Sequence, residues 1–450
     1  MASNLKGPCL IKGQITRFGN QNSEASNILL IDDVATALDV TVSADIPTIR
    51  LAENEWVQPG YKDDHIHVMS VLASLCSVNV SFCKTIPELM QTLAEAESSD
   101  GEWLRVWGYD DALLRERRHP TREELDQVTG DTPTVLHHRT GHVAVANSAA
   151  LLDLGVPNSS SEILVERHDL LSKVPRLSLN KIQSAASKMF QQCEEDGVVS
   201  VTDATHTNNL DSLELLDSLF NPAISPNLVA MVGAENLGGL SYGKRFRNLS
   251  VGHAKVMPDI SGKASISHLV EQAHIRGFPT AVHSMDIDTL NDALLAFADS
   301  PAPELVKDRI EHCSLALPEQ LDLLSKLNIA VSTQPSFLVY REQKYLEQLT
   351  SVERKWLWPL RSLLERGVEV TLSSDSPVVP CKPEEWIKAA SQRSLNGDES
   401  VSEKTARRHS LVQENILGLS AEFLIVGANL KDEDKYRRLD QTLLVRSGKC

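Results

Sequence analysis

The stretch Gln58-Pro59-Gly60-Tyr61-Lys62-Asp63-Asp64-His65-Ile66-His67 runs from a β-type segment into two histidines one residue apart. Side chains alternate along a strand with a period of two, so His65 and His67 point to one face. Both imidazoles can then reach one metal ion from the end of a single strand. Zinc and its neighbours bind such nitrogens well, and a catalytic site needs only about three protein ligands and an open position. Taken alone, an H-x-H pair is as often structural as ligating. Its weight here comes from the later strands.

Outward from this stretch, short β-rich runs alternate with helical segments, the pattern of a parallel sheet built from βα units. Eight runs are expected, at 57–63, 198–203, 228–232, 254–257, 280–282, 308–311, 329–333 and 368–373. Helices are expected at 266–276, 287–298, 318–327 and 352–365, with Gly277 and Gly367 where C-caps fall. Eight such units predict an α/β fold, a (β/α)8 barrel of the TIM type. Residues 64–197 are far too many for one connection and form a large insertion with its own structure. Its expected strands are 103–105, 134–138 and 143–146, and Thr121 with Glu124 reads as a capping box. The ends of the chain hold short apolar runs split by polar turns. The expected domains are therefore 1–55 with 405–450 as a small β unit and 56–404 as the barrel, with the insertion at about 90–190.

The chain has 450 residues, enough for a large core and an accessory domain. Lysine and arginine total 44 against 61 aspartates and glutamates, a net charge of −17 that disfavours nucleic acid and anionic membranes as partners. No apolar run approaches the roughly 20 residues that span a bilayer, and residues 1–7 show no secretory core. Seven scattered cysteines without a C-x-x-C pair read as reduced thiols of a cytoplasmic protein. Cys313, beside a candidate ligand, reads as a small buried thiol.

Active sites of such barrels form at the C-terminal ends of the strands. There fall His65, His67, Lys255, His283, His312 and Asp375. Four imidazoles, a carboxylate and a lysine converge on one mouth and suit a divalent metal, zinc first, one or two per chain. A buried lysine loses its charge readily, and as a carbamate it would supply two oxygens to bridge two metals. An ordinary ion-pairing lysine is the rival reading for Lys255, with a mononuclear site. A lone His312 would be read as a core residue; the six together favour the metal. Asp375 can also serve as general base. His253 shares the phase of Lys255 but lies nearer the strand start. The His137-His138 pair faces opposite sides and reads as structural. Asp203 is read equally as a substrate group or a turn former, and Lys62 has no account.

These residues resemble a known family. Residues 58–67 resemble the "PGFIDSHVH" opening of the amidohydrolase superfamily. Trp107-Gly108-Tyr109-Asp110, Pro120-Thr121-Arg122, Leu125-Asp126, Gly141-His142, Asn147-Ser148 and Ala150-Leu151 are similar to the insertion of amidohydrolase family 3, the branch containing N-substituted formamide deformylase. Arg309-Ile310-Glu311-His312, Gln334-Pro335-Ser336 and Ser374-Asp375-Ser376-Pro377 are similar to that branch too. The resemblance runs over residues 56–390 or so. It implies a metal-dependent hydrolase of C–N bonds in small molecules such as amides, formamides and cyclic amides, with a barrel, a small β-sandwich domain made from both termini (1–55 and 405–450), and a homodimer. It further implies His65, His67, His283, His312 and Asp375 as metal ligands, with Asp375 the proton shuttle. Lys255 matches the lysine that is often carbamylated. His142 matches a histidine that approaches the substrate, Glu311 a support beside His312.

The chain departs from the family pattern at Met257-Pro258-Asp259-Ile260-Ser261-Gly262, where a glycine-rich loop is usual, and at Asp286-Ile287, where Gly-Asp is usual. Both loops would face the substrate, which marks a divergent member. Two alternatives follow. One is a metal-dependent decarboxylase, isomerase or cyclase on the same site; the other is a catalytically silent binding subunit. Trp103, Trp107, Phe337 and Tyr340 read equally as an apolar wall for substrate and as core.

Overall fold

A computed structural model describes residues 8–15, 25–31, 34–51, 55–96, 103–141, 143–157, 161–165, 167–171, 173–221, 224–258, 264–303, 306–412, 423–427 and 436–438. The chain divides into two units. The first comprises Met1–Ile66, Phe190–Asp375 and Cys381–Cys450; the second comprises His67–Met189 and Ser376–Pro380.

The first unit contains eight parallel strands, here β1 (Tyr61–Ile66), β2 (Val198–Asp203), β3 (Asn227–Gly233), β4 (Leu249–Val256), β5 (Thr280–Ser284), β6 (Arg309–His312), β7 (Ala330–Thr333) and β8 (Val370–Leu372). Each is hydrogen-bonded to its neighbour in that order, giving a nearly closed TIM-type barrel. The strands form where β-branched residues cluster, as in Val198-Val199-Ser200-Val201, all buried. The helices between them bury one stripe. Ile287–Asp299 buries Leu290, Ala293, Leu294 and Phe297, at the i, i+3, i+4, i+7 spacing of one helical face, and leaves Leu295 exposed. Asp286 caps this helix by accepting the Thr289 N–H at 2.8 Å. Its place in the departing loop is thus accounted for by a cap. Gly277 and Gly367 hold the left-handed backbone expected at C-caps, with φ of +78° and +72°.

The barrel closes between β8 and β1 by a different device. Ser374 donates its N–H to Asp63 Oδ1 at 3.0 Å and its hydroxyl to Asp63 Oδ2. Thr371 Oγ1 donates to Asp64 Oδ2 at 3.1 Å, and the Asp375 N–H donates to His65 O at 2.8 Å. No backbone ladder joins the two strands among the described residues.

The first expected run proves to be two strands. Glu55–Pro59 belongs to a seven-stranded sheet of order Tyr436–Arg438, Phe423–Gly427, Glu55–Pro59, Pro8–Ile15, Ala25–Ile31, Val34–Leu38, with Thr48–Arg50 beside Pro8–Ile15. The barrel strand starts only at Tyr61. Gly60 sits at the junction, where a Cβ would come within 2.3 Å of Val199 Cγ2, so no larger residue lets the chain pass from one sheet to the other.

The second unit is built on a five-stranded sheet of order Ile163–Val165, Val143–Ala146, Thr134–His138, Leu104–Tyr109, Val78–Asn79. Helix Arg122–Thr129 begins with the expected capping box of Thr121 and Glu124. Leu89, Val106, Leu125 and Leu136 form the core beside the sheet. No helix among the described residues is long and apolar enough to cross a membrane.

Candidate active site

β1 is unusual in burying Asp63, Asp64 and His65 in succession. Isolated, such groups would be expelled to water; here each has partners. Asp64 accepts from Thr202 Oγ1 at 2.7 Å and pairs with Arg309 at 2.9 Å and Lys62 at 3.2 Å. Burial pushes its carboxyl up, but the Lys62 and Arg309 charges prevail and hold it well below the usual carboxylate range. Lys62 is thereby explained: it lies two residues from Asp64, on the same face of the strand. Asp63 is driven up to about 6 by burial, against its bonds from Ser374.

His65 lies inside the strand, 1 % exposed, with Nδ1 on Glu311 Oε2. Glu311 Oε1 in turn accepts from Arg309 Nε at 2.5 Å, and Arg309 reaches back to the Asp64 carbonyl at 3.0 Å. A glutamate that receives Nδ1–H fixes the tautomer and turns Nε2 toward the site. Nε2 stands 3.5 Å from Asp375 Oδ1. His65 and Asp375 thus present an imidazole nitrogen and a carboxylate oxygen to each other, and His67 follows directly on the last residue of β1.

β5 and β6 deliver the remaining imidazoles. His312 Nε2 faces His283 Nδ1 at 3.0 Å, and the His65 and His312 rings stand 4.8 Å apart. His312 Nδ1 donates to Gln334 Oε1 at 2.7 Å, while Gln334 Nε2 donates to Ser373 Oγ at 2.9 Å, so the amide orientation is fixed. Strand alternation would send Glu311 and His312 to opposite faces. The backbone at His312 breaks that rule with φ of +69°, and Asp375 does the same after β8 with φ of +66°. Both conformations are strained for residues with a Cβ, a cost often found at functional sites.

Lys255 on β4 is 2 % exposed and its Nζ makes no hydrogen bond among the described residues. Burial lowers its ammonium to about 8. Burial likewise lowers the imidazoles: His312 to about 3, His283 well below its usual value, and His65 below it. Neutral imidazoles and a carboxylate are the chemical forms that bind a borderline divalent cation, and burial brings the lysine nearer its amine. The donor set therefore fits a metal.

Residues 52–412 match the model of the amidohydrolase family. The chain belongs to the amidohydrolase family. As an amidohydrolase it is a hydrolase of amide-type bonds, and the grouped imidazoles and carboxylate are its candidate metal-binding residues. Among amidohydrolase relatives, the N-substituted formamide deformylase of Arthrobacter pascens is 25 % identical over 435 residues, covering 78 % of this chain and 77 % of that one. The YtcJ protein of Bacillus subtilis is 21 % identical over 396 residues, covering 76 % and 74 %. The barrel fold recurs in an uncharacterized metal-dependent hydrolase from Pyrococcus horikoshii, with a TM-score of 0.76 and 21 % identity over 96 % of this chain and 100 % of that one.

Other expected residues fall elsewhere. His253 contacts the Lys307 carbonyl at 3.1 Å through Nε2. Asp203 accepts from the Thr205 N–H and from Asn208 Nδ2, both at 2.9 Å, as a turn former does. Cys313 is buried and its thiol is pushed up to about 12. Phe337 packs on Trp358 with ring centroids 5.5 Å apart, and Tyr340 donates its hydroxyl to Glu385 at 2.8 Å. His142 and residues 259–262 of the departing loop lie outside the described residues. Glu311 is more than a support beside His312, since it bonds His65 directly. Its two-residue spacing from Arg309 was the signal that both face one way.

Proposed function

We propose that this amidohydrolase cleaves an amide, formamide or cyclic amide bond of a small molecule, with a divalent metal held by His65, His67, Lys255, His283, His312 and Asp375. The observation that carries the reading is the facing pair of His283 Nδ1 and His312 Nε2 at 3.0 Å. Both rings are held neutral by burial, the form in which imidazole nitrogens would hold a divalent cation. Zinc suits this nitrogen and oxygen set best. Lys255, eased toward its amine, is placed chemically to take up carbon dioxide as a carbamate. When bound, the metal supplies Lewis acidity and lowers the pKa of water to about 7.

The chain's own residues do the rest. Asp375 takes the proton of the attacking water and passes it to the leaving nitrogen. Glu311 and Gln334 hold the rings of His65 and His312 in one orientation. His142 is proposed to contact the substrate. The relative from Arthrobacter pascens supports N-substituted formamides as the first substrates to try. A cytoplasmic homodimer completes the proposal.

The experiment is hydrolysis of a panel of formamides, amides and cyclic amides by the full-length chain before chelation, after it, and after zinc is restored. Activity that disappears and returns is expected. Absence of hydrolysis with zinc, manganese, iron or cobalt across the panel would overturn the reading.

A further inference from the structure

At the end of the barrel opposite the clustered imidazoles, three side chains form a line of hydrogen bonds. The helices Ile266–Ile275 and Ile287–Asp299 follow β4 and β5, so they carry the chain back to the rim where β5 and β6 begin. His274 lies in the last turn of the first helix, Ser300 follows the second, and Asp308 stands just before β6. His274 Nε2 is 2.9 Å from Asp308 Oδ1, and His274 Nδ1 is 3.0 Å from Ser300 Oγ.

The partners fix the direction of each bond. Asp308 Oδ1 accepts the Thr280 N–H at 2.7 Å and the Thr280 hydroxyl at 2.8 Å. An ionised carboxylate oxygen only accepts, so His274 donates Nε2–H to it. In the neutral ring the lone pair then lies on Nδ1, where it accepts the Ser300 O–H. Asp308 is 1 % exposed and the His274 side chain 6 %, and no lysine or arginine among the described residues pairs with this carboxylate. Ser300 is only half-buried. A buried carboxylate that orients an imidazole, which in turn can take the proton of a hydroxyl, is the arrangement that makes serine a nucleophile. It is recognised by geometry and not by order along the chain.

We infer that Ser300, His274 and Asp308 form a second nucleophilic centre, which accepts the acyl group of an activated ester. Ser300 Oγ attacks the carbonyl carbon as its proton passes to His274 Nδ1. The bond from that carbon to the leaving oxygen breaks, and the alcohol departs with the proton. Water then attacks the acyl-serine by the same route, releasing the carboxylic acid and restoring the hydroxyl. The sequence of steps needs neither a metal nor an oxidant. The competing arrangement is a fastening, in which the same bonds only tie two helix ends to the start of β6, the stabilising role usual at this rim.

A fluorophosphonate probe on the full-length chain separates the two. The serine oxygen displaces fluoride at phosphorus, so a reactive Ser300 is trapped as a phosphonate ester that peptide mass spectrometry locates. An adduct on Ser300 is expected, formed at the same rate with and without a chelator. It should form about 100-fold more slowly in His274→Gln and in Asp308→Asn. Release of p-nitrophenol from p-nitrophenyl acetate by the chelated chain should fall in Ser300→Ala. Circular dichroism identifies any variant that does not fold, and the two slowing substitutions back each other up. Three results would overturn the centre: no adduct on Ser300 in the wild-type chain, an adduct formed equally fast in a folded His274→Gln or Asp308→Asn chain, or equal p-nitrophenol release by wild type and Ser300→Ala.

Discussion

Glu311 is the hydrogen-bond partner of His65 Nδ1, and through that bond it decides which nitrogen of His65 faces the site. Its other oxygen is tied to Arg309, and Arg309 to Asp64, so the orientation of one imidazole is anchored across the barrel. Glu311→Gln keeps the size and loses the charge. The variant is expected to release metal about 10–100-fold more readily. Competition with a chelator measures this; retention equal to wild type would remove the positioning role.

Asp375→Asn is expected to keep the fold, because the Asp375 backbone N–H still bonds His65 O. Turnover should fall by about 10²–10⁴-fold, the usual contribution of a proton-transferring group. Near-normal hydrolysis with an unchanged circular dichroism spectrum would assign the proton transfer elsewhere.

Carbamylation of Lys255 gives a test by gas. Activity of freshly reconstituted protein should rise with added bicarbonate in the wild type and show no response in Lys255→Ala. An equal response in both, or none in either, would leave Lys255 as an ordinary buried amine.

Gly60→Ala puts a Cβ against the Val199 side chain. A cost of about 1–3 kcal/mol is expected from this overpacking, read as a lower midpoint of thermal unfolding. A midpoint equal to that of the wild type would mean that the junction between the two sheets yields freely.

His137 supplies a pH dependence. Burial, with the Arg105 charge second, lowers its imidazole from 6.5 to about 4. Between those values the unfolded chain binds a proton that the folded chain does not, so stability rises with pH across the window and is lost as pH falls toward 4. The effect is about 2 kcal/mol after allowance for its partial exposure. His137→Gln should flatten the urea midpoint between about pH 6.5 and 4; an unchanged slope would show that other groups carry the acid sensitivity.

The barrel was legible because most of its strands hold short local clusters of β-branched and other apolar residues, separated by helical stretches, and such clusters can be counted. Residues 57–63 misled as a single run because nothing local shows that Glu55–Pro59 pairs with Phe423–Gly427, more than three hundred positions away. Only the steric demand at Gly60 marks the change. That His65, Lys255, His283, His312 and Asp375 stand near the C-terminal ends of barrel strands was legible from the runs they close. The roles of Glu311, Gln334 and Lys62 depend on register between strands distant in sequence, which no local pattern encodes. His138 was read as structural from the alternation of a strand, and its meeting with Asp110 and Asp111 follows from a parallel pairing invisible before the sheet was drawn.

The joint between β8 and β1 is sewn mainly by side chains of Asp63, Asp64, Thr371 and Ser374 rather than by a ladder. Local opening is easiest where few backbone bonds must break. The same joint sets His65 beside Asp375, so in rising denaturant the enzyme should fall silent while most of its amide protons are still protected from exchange.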